Sequence, residues 1–193
     1  MAPFLRLLTA ILVLASIAGC SGPDDAPELD PVFVVMCDDI DPGEPPHPCC
    51  TGFAFGTQVV TANHCVPDDQ ARLVSNRQWL HTASDSQIGS VVARDSARDI
   101  AWLTAVLDGP GLEQGGPVAL GDSVTVLARF GAKPGTAYQQ IIDRWRTSAD
   151  TDYGDSGAAI VDATGAAVGV LTQCLTADGK QCDMSTGIFV ELP

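Results

Sequence analysis

The chain has 193 residues, of which 46% are hydrophobic and 18% charged; that is enough apolar material for a sizeable core and excludes wholesale disorder. Ten basic residues stand against 24 acidic ones, a formal net charge of −14, and such a chain repels phosphate backbones, which argues against a nucleic-acid partner. Length alone points to one domain, or to two half-domains sharing a core.

Residues 1–20 are set apart from fold reasoning by their composition. Arg6 is the only charged side chain there, and the apolar run after it is short for a membrane span but suits a signal-peptide core. The run ends in Ile17-Ala18-Gly19-Cys20, which resembles a bacterial lipoprotein box. That resemblance implies a signal peptide over residues 1–19, with Cys20 lipidated and becoming the mature N-terminus. The membrane is then a partner through a lipid anchor at Cys20. The location is the bacterial cell envelope, at the outer membrane or cell surface. Ordinary signal cleavage, giving a secreted protein, and a simple membrane anchor are the competing readings. Residues 20–31 mix proline with acids and hold no aromatic side chain, as expected of a solvated tether. The cluster Asp38, Asp39, Asp41 and Glu44 lacks an ordered calcium-ligand spacing and reads as a polar hairpin loop.

Beyond the tether the apolar runs are short and rich in Val, Ile and Thr: VFVVM, TGFAF, QVVTA, IGSVVA, IAWLTAV, VTVLARF, AAIV and AVGVLT. Gly, Pro and Asp punctuate them. Strand signals at this spacing indicate an all-β sandwich or barrel. A hairpin is expected around Ala163-Thr164-Gly165, and the segment Ile141–Thr147 reads as a turn or two of helix. Export permits disulfides. Setting Cys20 aside leaves six cysteines: Cys37, Cys49, Cys50, Cys65, Cys174 and Cys182. Their spacing does not choose among the possible pairings. Nor does it make a paired C-x-x-C pattern, and His47 beside Cys49 and Cys50 is the sole hint of a zinc site. No metal and no cofactor is expected.

Three segments carry chemistry: Val59-Val60-Thr61-Ala62-Asn63-His64-Cys65, Arg98-Asp99-Ile100-Ala101-Trp102-Leu103, and Gly154-Asp155-Ser156-Gly157-Ala158-Ala159-Ile160. A serine hydroxyl is a weak nucleophile at neutral pH and needs an imidazole to accept its proton. A carboxylate then holds the other ring nitrogen in the right tautomer. In the order His, Asp, Ser, the three segments resemble the TAAHC, DIAL and GDSGG motifs of the chymotrypsin/trypsin family. The resemblance covers roughly residues 32 to 193.

It implies two antiparallel β-barrels, residues 32–115 and 116–193, with the active site in the cleft between them. It also implies a monomeric serine endopeptidase acting on peptide or protein substrates. His64, Asp99 and Ser156 would form the triad, with the N–H groups of Gly154 and Ser156 as the oxyanion hole. The resemblance implies the disulfide Cys50–Cys65; Cys174 and Cys182, close to two further segments that resemble the family, are expected to bridge each other, which leaves Cys37 with Cys49. Gly169-Val170-Leu171-Thr172 resembles the strand that pairs with substrate backbone, and Ser185–Val190 the segment that places Gly187 in the wall of the specificity pocket. Counting six residues back from Ser156 makes Asp150 the base of that pocket, which implies a preference for Arg or Lys. An exposed loop acid is the competing reading of Asp150.

Two departures from the family bear on function. The cysteine that commonly precedes the GDSG motif is replaced by Asp152. The chain also has no Ile-Val-Gly-Gly segment whose released amine would pair with Asp155. A buried carboxylate without a counter-charge is costly, so an internal cation is expected. Arg129 is the choice, with Arg144 and Arg146 as rivals. If that site is misformed, the alternative is a catalytically silent protease-fold lipoprotein that binds peptides or envelope proteins.

Overall fold

In the computed structural model, the described residues are 31–37, 46–76, 86–107, 109–174 and 185–193. The proposed signal peptide, Cys20, the tether up to residue 30, the acidic cluster Asp38–Glu44 and Cys182 all lie outside them.

Short apolar runs make the described residues strands: β-branched residues suit the pleated backbone, some strands are buried along most of their length, and others alternate inward and outward side chains. In the first half these are β1 (Val32–Cys37), β2 (His47–Phe55), β3 (Gln58–Ala62), β4 (Gln70–Ser75), β5 (Gln87–Asp95) and β6 (Ile100–Thr104). They close into an antiparallel barrel in the order β1-β2-β3-β6-β5-β4. The second half repeats the plan with β7 (Ser123–Ala128), β8 (Gly131–Ile141), β9 (Arg144–Thr151), β10 (Ala159–Val161), β11 (Ala167–Cys174) and β12 (Ser185–Glu191). Its order is β10-β11-β12-β9-β8-β7. Among the described residues, every strand of each barrel has a partner on both sides, so closure removes the sheet edges.

Each barrel is filled by its own core. Phe33, Val35, Val59, Leu73 and Leu103 pack inside the first, and Val126, Trp145, Leu171 and Phe189 inside the second. A third cluster joins them: Phe53, Val60 and Ile100 of the first barrel meet Ala159, Val170 and Val190 of the second, each fully buried. Burying a Val, Ile or Phe side chain stabilises by about 1.5–3 kcal/mol, so the two barrels are held together by shared core.

The expected helix over Ile141–Thr147 is not formed. Ile141 ends β8, Ile142 turns with φ 57°, and Arg144–Thr147 begin β9. The reason is periodicity: β9 alternates, with Trp145, Thr147 and Ala149 inward and buried while Ser148 and Asp150 are exposed. Trp145 also finds an acceptor in Glu191 Oε1 at 2.9 Å. These contacts outweigh the weak local helix preference.

Candidate active site

His64 leaves the wall of the first barrel in a 3₁₀ turn, Asn63–Cys65, that follows β3 directly. Three hydrogen bonds dock this turn onto Asp99. Asn63 N donates to Asp99 O at 2.9 Å, His64 N donates to Asp99 Oδ1 at 2.9 Å, and His64 Nδ1 lies 2.7 Å from Asp99 Oδ2. Asp99 itself sits in the β5–β6 turn with φ 63°, a left-handed conformation that Asp tolerates better than most residues. Such a conformation persists where its surroundings over-determine it, and these three bonds do so. Arg94 braces the turn from below, donating to Asn63 Oδ1 at 2.6 Å and Val66 O at 2.7 Å. The Cys50–Cys65 disulfide ties its far end to β2.

Ser156 lies on the turn that precedes β10, and this turn is seated on the first barrel. Thr51 N donates to Ser156 O at 2.8 Å, and Thr51 Oγ1 donates to Gly154 O at 2.8 Å. Gly157 N donates back to Leu171 O at 2.6 Å. Gly157 has φ +87°, and a Cβ there would collide with the Thr51 carbonyl and the Thr61 hydroxyl. Only glycine allows this approach.

The two turns face a shared cavity of about 630 Å³, whose lining includes His64, Asp99, Ser156, Gly154 and Thr172. The His64 side chain is 48% exposed and that of Asp99 19%, so the imidazole is open to a ligand while the carboxylate is shielded behind it. An ionised carboxylate only accepts hydrogen bonds. Opposite an ionised Asp99, a neutral His64 ring donates through Nδ1 and has Nε2 left to accept a proton.

Asp155 is 1% exposed, and its cation is not the expected one. Lys133 Nζ lies 2.7 Å from Asp155 Oδ2, and Asp152 N donates to the same oxygen at 2.7 Å. Arg129 turns elsewhere, to Pro48 O at 3.1 Å and Tyr153 O at 3.2 Å. Arg144 contacts Ala97 O at 3.5 Å. The physical reason is the β7–β8 register. Val126 pairs with Lys133, which brings the lysine to the Asp152–Gly157 turn, whereas Arg129 belongs to the turn joining the strands and bonds Pro48 O and Tyr153 O instead. Lys133 is one of two lysines in the chain, and it stands in none of the three motif segments.

The expected specificity residues are spread more widely. Thr172 is fully buried and lines the cavity, with its hydroxyl donating to Ile188 O at 3.4 Å. Gly187 is buried, and a Cβ there would meet Leu171, Thr147 and Thr151 side chains. Asp150 is exposed near the end of β9, opposite Thr186 on β12, and the residues lining the cavity do not include it. The alternation of β9 points Asp150 away from the interior that Thr147, Ala149 and Thr151 occupy.

Cys37 and Cys49 are joined, as are Cys50 and Cys65. Both pairs border the cavity, as does Cys174, which is also disulfide-bonded. The sulfurs of Cys50 and Cys65 approach His64 closely, but sulfurs bonded to each other are not thiolate ligands.

Two closed six-stranded antiparallel barrels with a His–Asp pair and a Gly-Asp-Ser-Gly turn at their junction define the chymotrypsin-type fold. The family model described as the trypsin-like peptidase domain matches residues 50–170, and the chain belongs to that family. Among solved structures it is similar to the active form of the Rv3671c protease of M. tuberculosis, at 21% identity and a TM-score of 0.67 over 99% of this chain and 88% of that one. The inactive form of the Rv3671c protease matches at 20% identity and a TM-score of 0.61, covering 84% of each chain. A serine endoprotease from Yersinia pestis matches at 17% identity and a TM-score of 0.64, over 84% of this chain and 59% of that one. At such identities the likeness is one of fold. No curated protein matches the chain.

Proposed function

We propose that the protein is a serine endopeptidase in which Ser156 is the nucleophile, His64 the general base and Asp99 the group that orients it. The observation that carries this reading is the His64–Asp99 pair, 2.7 Å apart, opening onto the cavity that Ser156 also lines. Ser156 Oγ attacks the substrate carbonyl as its proton passes to His64 Nε2. The tetrahedral oxygen takes its hydrogen bonds from the N–H groups of Gly154 and Ser156. His64 then gives the proton to the leaving amine, and an acyl-enzyme remains. Water repeats the sequence, with His64 accepting its proton and Ser156 leaving with it, which releases the acid product. Asp99 stabilises the imidazolium formed in each half.

The alternative, a catalytically silent protein of the same fold, drew its support from the missing activation amine. The Lys133–Asp155 pair weakens that support, because an ammonium group already faces the carboxylate. The preference for Arg or Lys rests on Asp150. Asp150 stands exposed and outside the cavity lining, so it contributes little to an ion pair with a bound side chain, and we expect Asp150→Ser to leave the preference nearly unchanged. Arg-, Lys- and Phe-linked reporter peptides compared on wild type and Asp150→Ser measure it.

We also propose that Cys20 carries a lipid and holds the enzyme at the cell envelope, since a lipid anchor gains roughly 0.8 kcal/mol per buried methylene. Wild type should enter the detergent phase and Cys20→Ala should not. The activity reading is tested by a fluorophosphonate probe, which labels only an activated serine. Labelling of wild type and none of Ser156→Ala or His64→Ala is expected. An unlabelled, fully folded wild type would favour the silent alternative.

A further inference from the structure

We infer that Arg129 is a positioning residue that aims the Gly154 N–H at the oxyanion by clamping the carbonyl of the same peptide unit; this rests on the endopeptidase reading above. The Arg129 guanidinium donates through Nη2 to Tyr153 O at 3.2 Å and through Nη1 to Pro48 O at 3.1 Å. Its carbon lies 4.7 Å from the centre of the Phe130 ring. The group is therefore fixed from three sides, by a carbonyl of the first barrel, a carbonyl of the nucleophile turn and an aromatic face.

Tyr153 O and Gly154 N belong to one peptide unit, and no peptide bond among the described residues is cis. In a planar trans unit the C=O and N–H point in opposite directions, so a clamp on the oxygen sets the direction of the N–H. The restraint matters because residue 154 is glycine. With φ +92° and no Cβ, its backbone resists rotation of the preceding peptide less than any other residue would. A flipped unit removes an oxyanion donor and puts a carbonyl oxygen in the wrong direction. The glycine is also required by the clamp: a Cβ at Gly154 would lie within 2.6–2.9 Å of the Arg129 guanidinium. An arginine suits the task because its planar fork reaches two carbonyls at once, which a lysine ammonium does with less directional control.

The test compares wild type, Arg129→Met and Arg129→Lys by kcat and KM on the best reporter peptide, by inhibition with the matching peptidyl aldehyde, and by thermal unfolding. The aldehyde forms a hemiacetal whose oxygen occupies the oxyanion position. Loss of one oxyanion donor lowers kcat by roughly 10²-fold, so Arg129→Met should lose about that much in kcat and in aldehyde affinity, with KM little changed. Arg129→Lys should recover part of both. A merely structural role would lower the unfolding temperature and leave kcat and aldehyde affinity of the folded protein unmoved, which would overturn the inference alone. A folded wild type that turns over no peptide would overturn the endopeptidase reading and this inference with it.

Discussion

Lys133 reaches Asp155 from the strand beneath the nucleophile turn, its Nζ 2.7 Å from a carboxylate oxygen of a residue that is 1% exposed. Asp155 Oδ2 also accepts from Asp152 N, three residues earlier, so one buried oxygen ties the ends of the turn to β8. The neighbouring residue is Ser156. A charge placed there sets the shape of the loop that presents the hydroxyl, and it does so with a side chain of the domain itself.

Removing that ammonium leaves an uncompensated buried charge, which costs about 3–5 kcal/mol. Lys133→Met should therefore lower the thermal midpoint by roughly 10 °C and reduce peptide hydrolysis as well. Lys133→Met combined with Asp155→Asn should recover most of the stability, because the charge is gone with its partner. Calorimetry of the two variants checks this, and an unchanged midpoint for Lys133→Met would show that the pair carries no weight.

Gly157 is the point where the nucleophile turn presses on the first barrel. Gly157→Ala adds a methyl group against the Thr51 carbonyl and the Thr61 hydroxyl at φ +87°. A loss of more than about 3 kcal/mol is expected, read from urea unfolding. Gly165→Ala serves as a control: its φ is also positive, at +86°, but nothing lies within 4 Å of its Cβ position, so it should cost distinctly less.

Asp162 supplies a pH-dependent term. Hydrogen bonds from Thr164, first its hydroxyl and then its backbone N–H, hold the Asp162 carboxyl below its ordinary value. A carboxyl depressed in the folded state stabilises above its unfolded pKa, and that contribution is lost as pH falls through the folded value. Asp162→Ala should thus be less stable than wild type at neutral pH. The gap between their unfolding midpoints should narrow as pH drops below the ordinary carboxylate range. A gap that stayed constant down to the acid transition would contradict this.

Much of the candidate site was legible because its residues stand in motifs that are local in sequence. His64 with Cys65, Asp99 opening an apolar strand, and Ser156 between glycines each stand in a short segment whose residue types announce their surroundings. The strands in which Val recurs, such as β1 and β7, were equally plain. What stayed hidden depends on register and on partners distant in sequence. β8 holds Gly131, Pro134 and Gly135, residues that weaken any strand signal, and it is assembled by pairing with β7 and β9. Lys133 was missed for the same reason, since only the β7–β8 register brings it under Asp155. The segment Ile141–Thr147, which holds the start of β9, read as helix because the inward residues Trp145 and Thr147 differ too much in size and polarity to show as an alternating apolar stripe. Asp150 shows the converse limit: a count of six residues from the serine gave its number but not the side of the strand on which it stands.

The central claim is that Ser156, His64 and Asp99 act as one catalytic unit, and hydrolysis of an unfolded protein substrate tests it most directly. Wild type, Ser156→Ala and Asp99→Asn should be compared at equal folded concentration, verified by their unfolding curves. Wild type should cleave, Ser156→Ala should not, and Asp99→Asn should turn over roughly 10⁴-fold more slowly because its imidazole is held in the wrong tautomer. Cleavage by Ser156→Ala and Asp99→Asn at the wild-type rate would contradict the account.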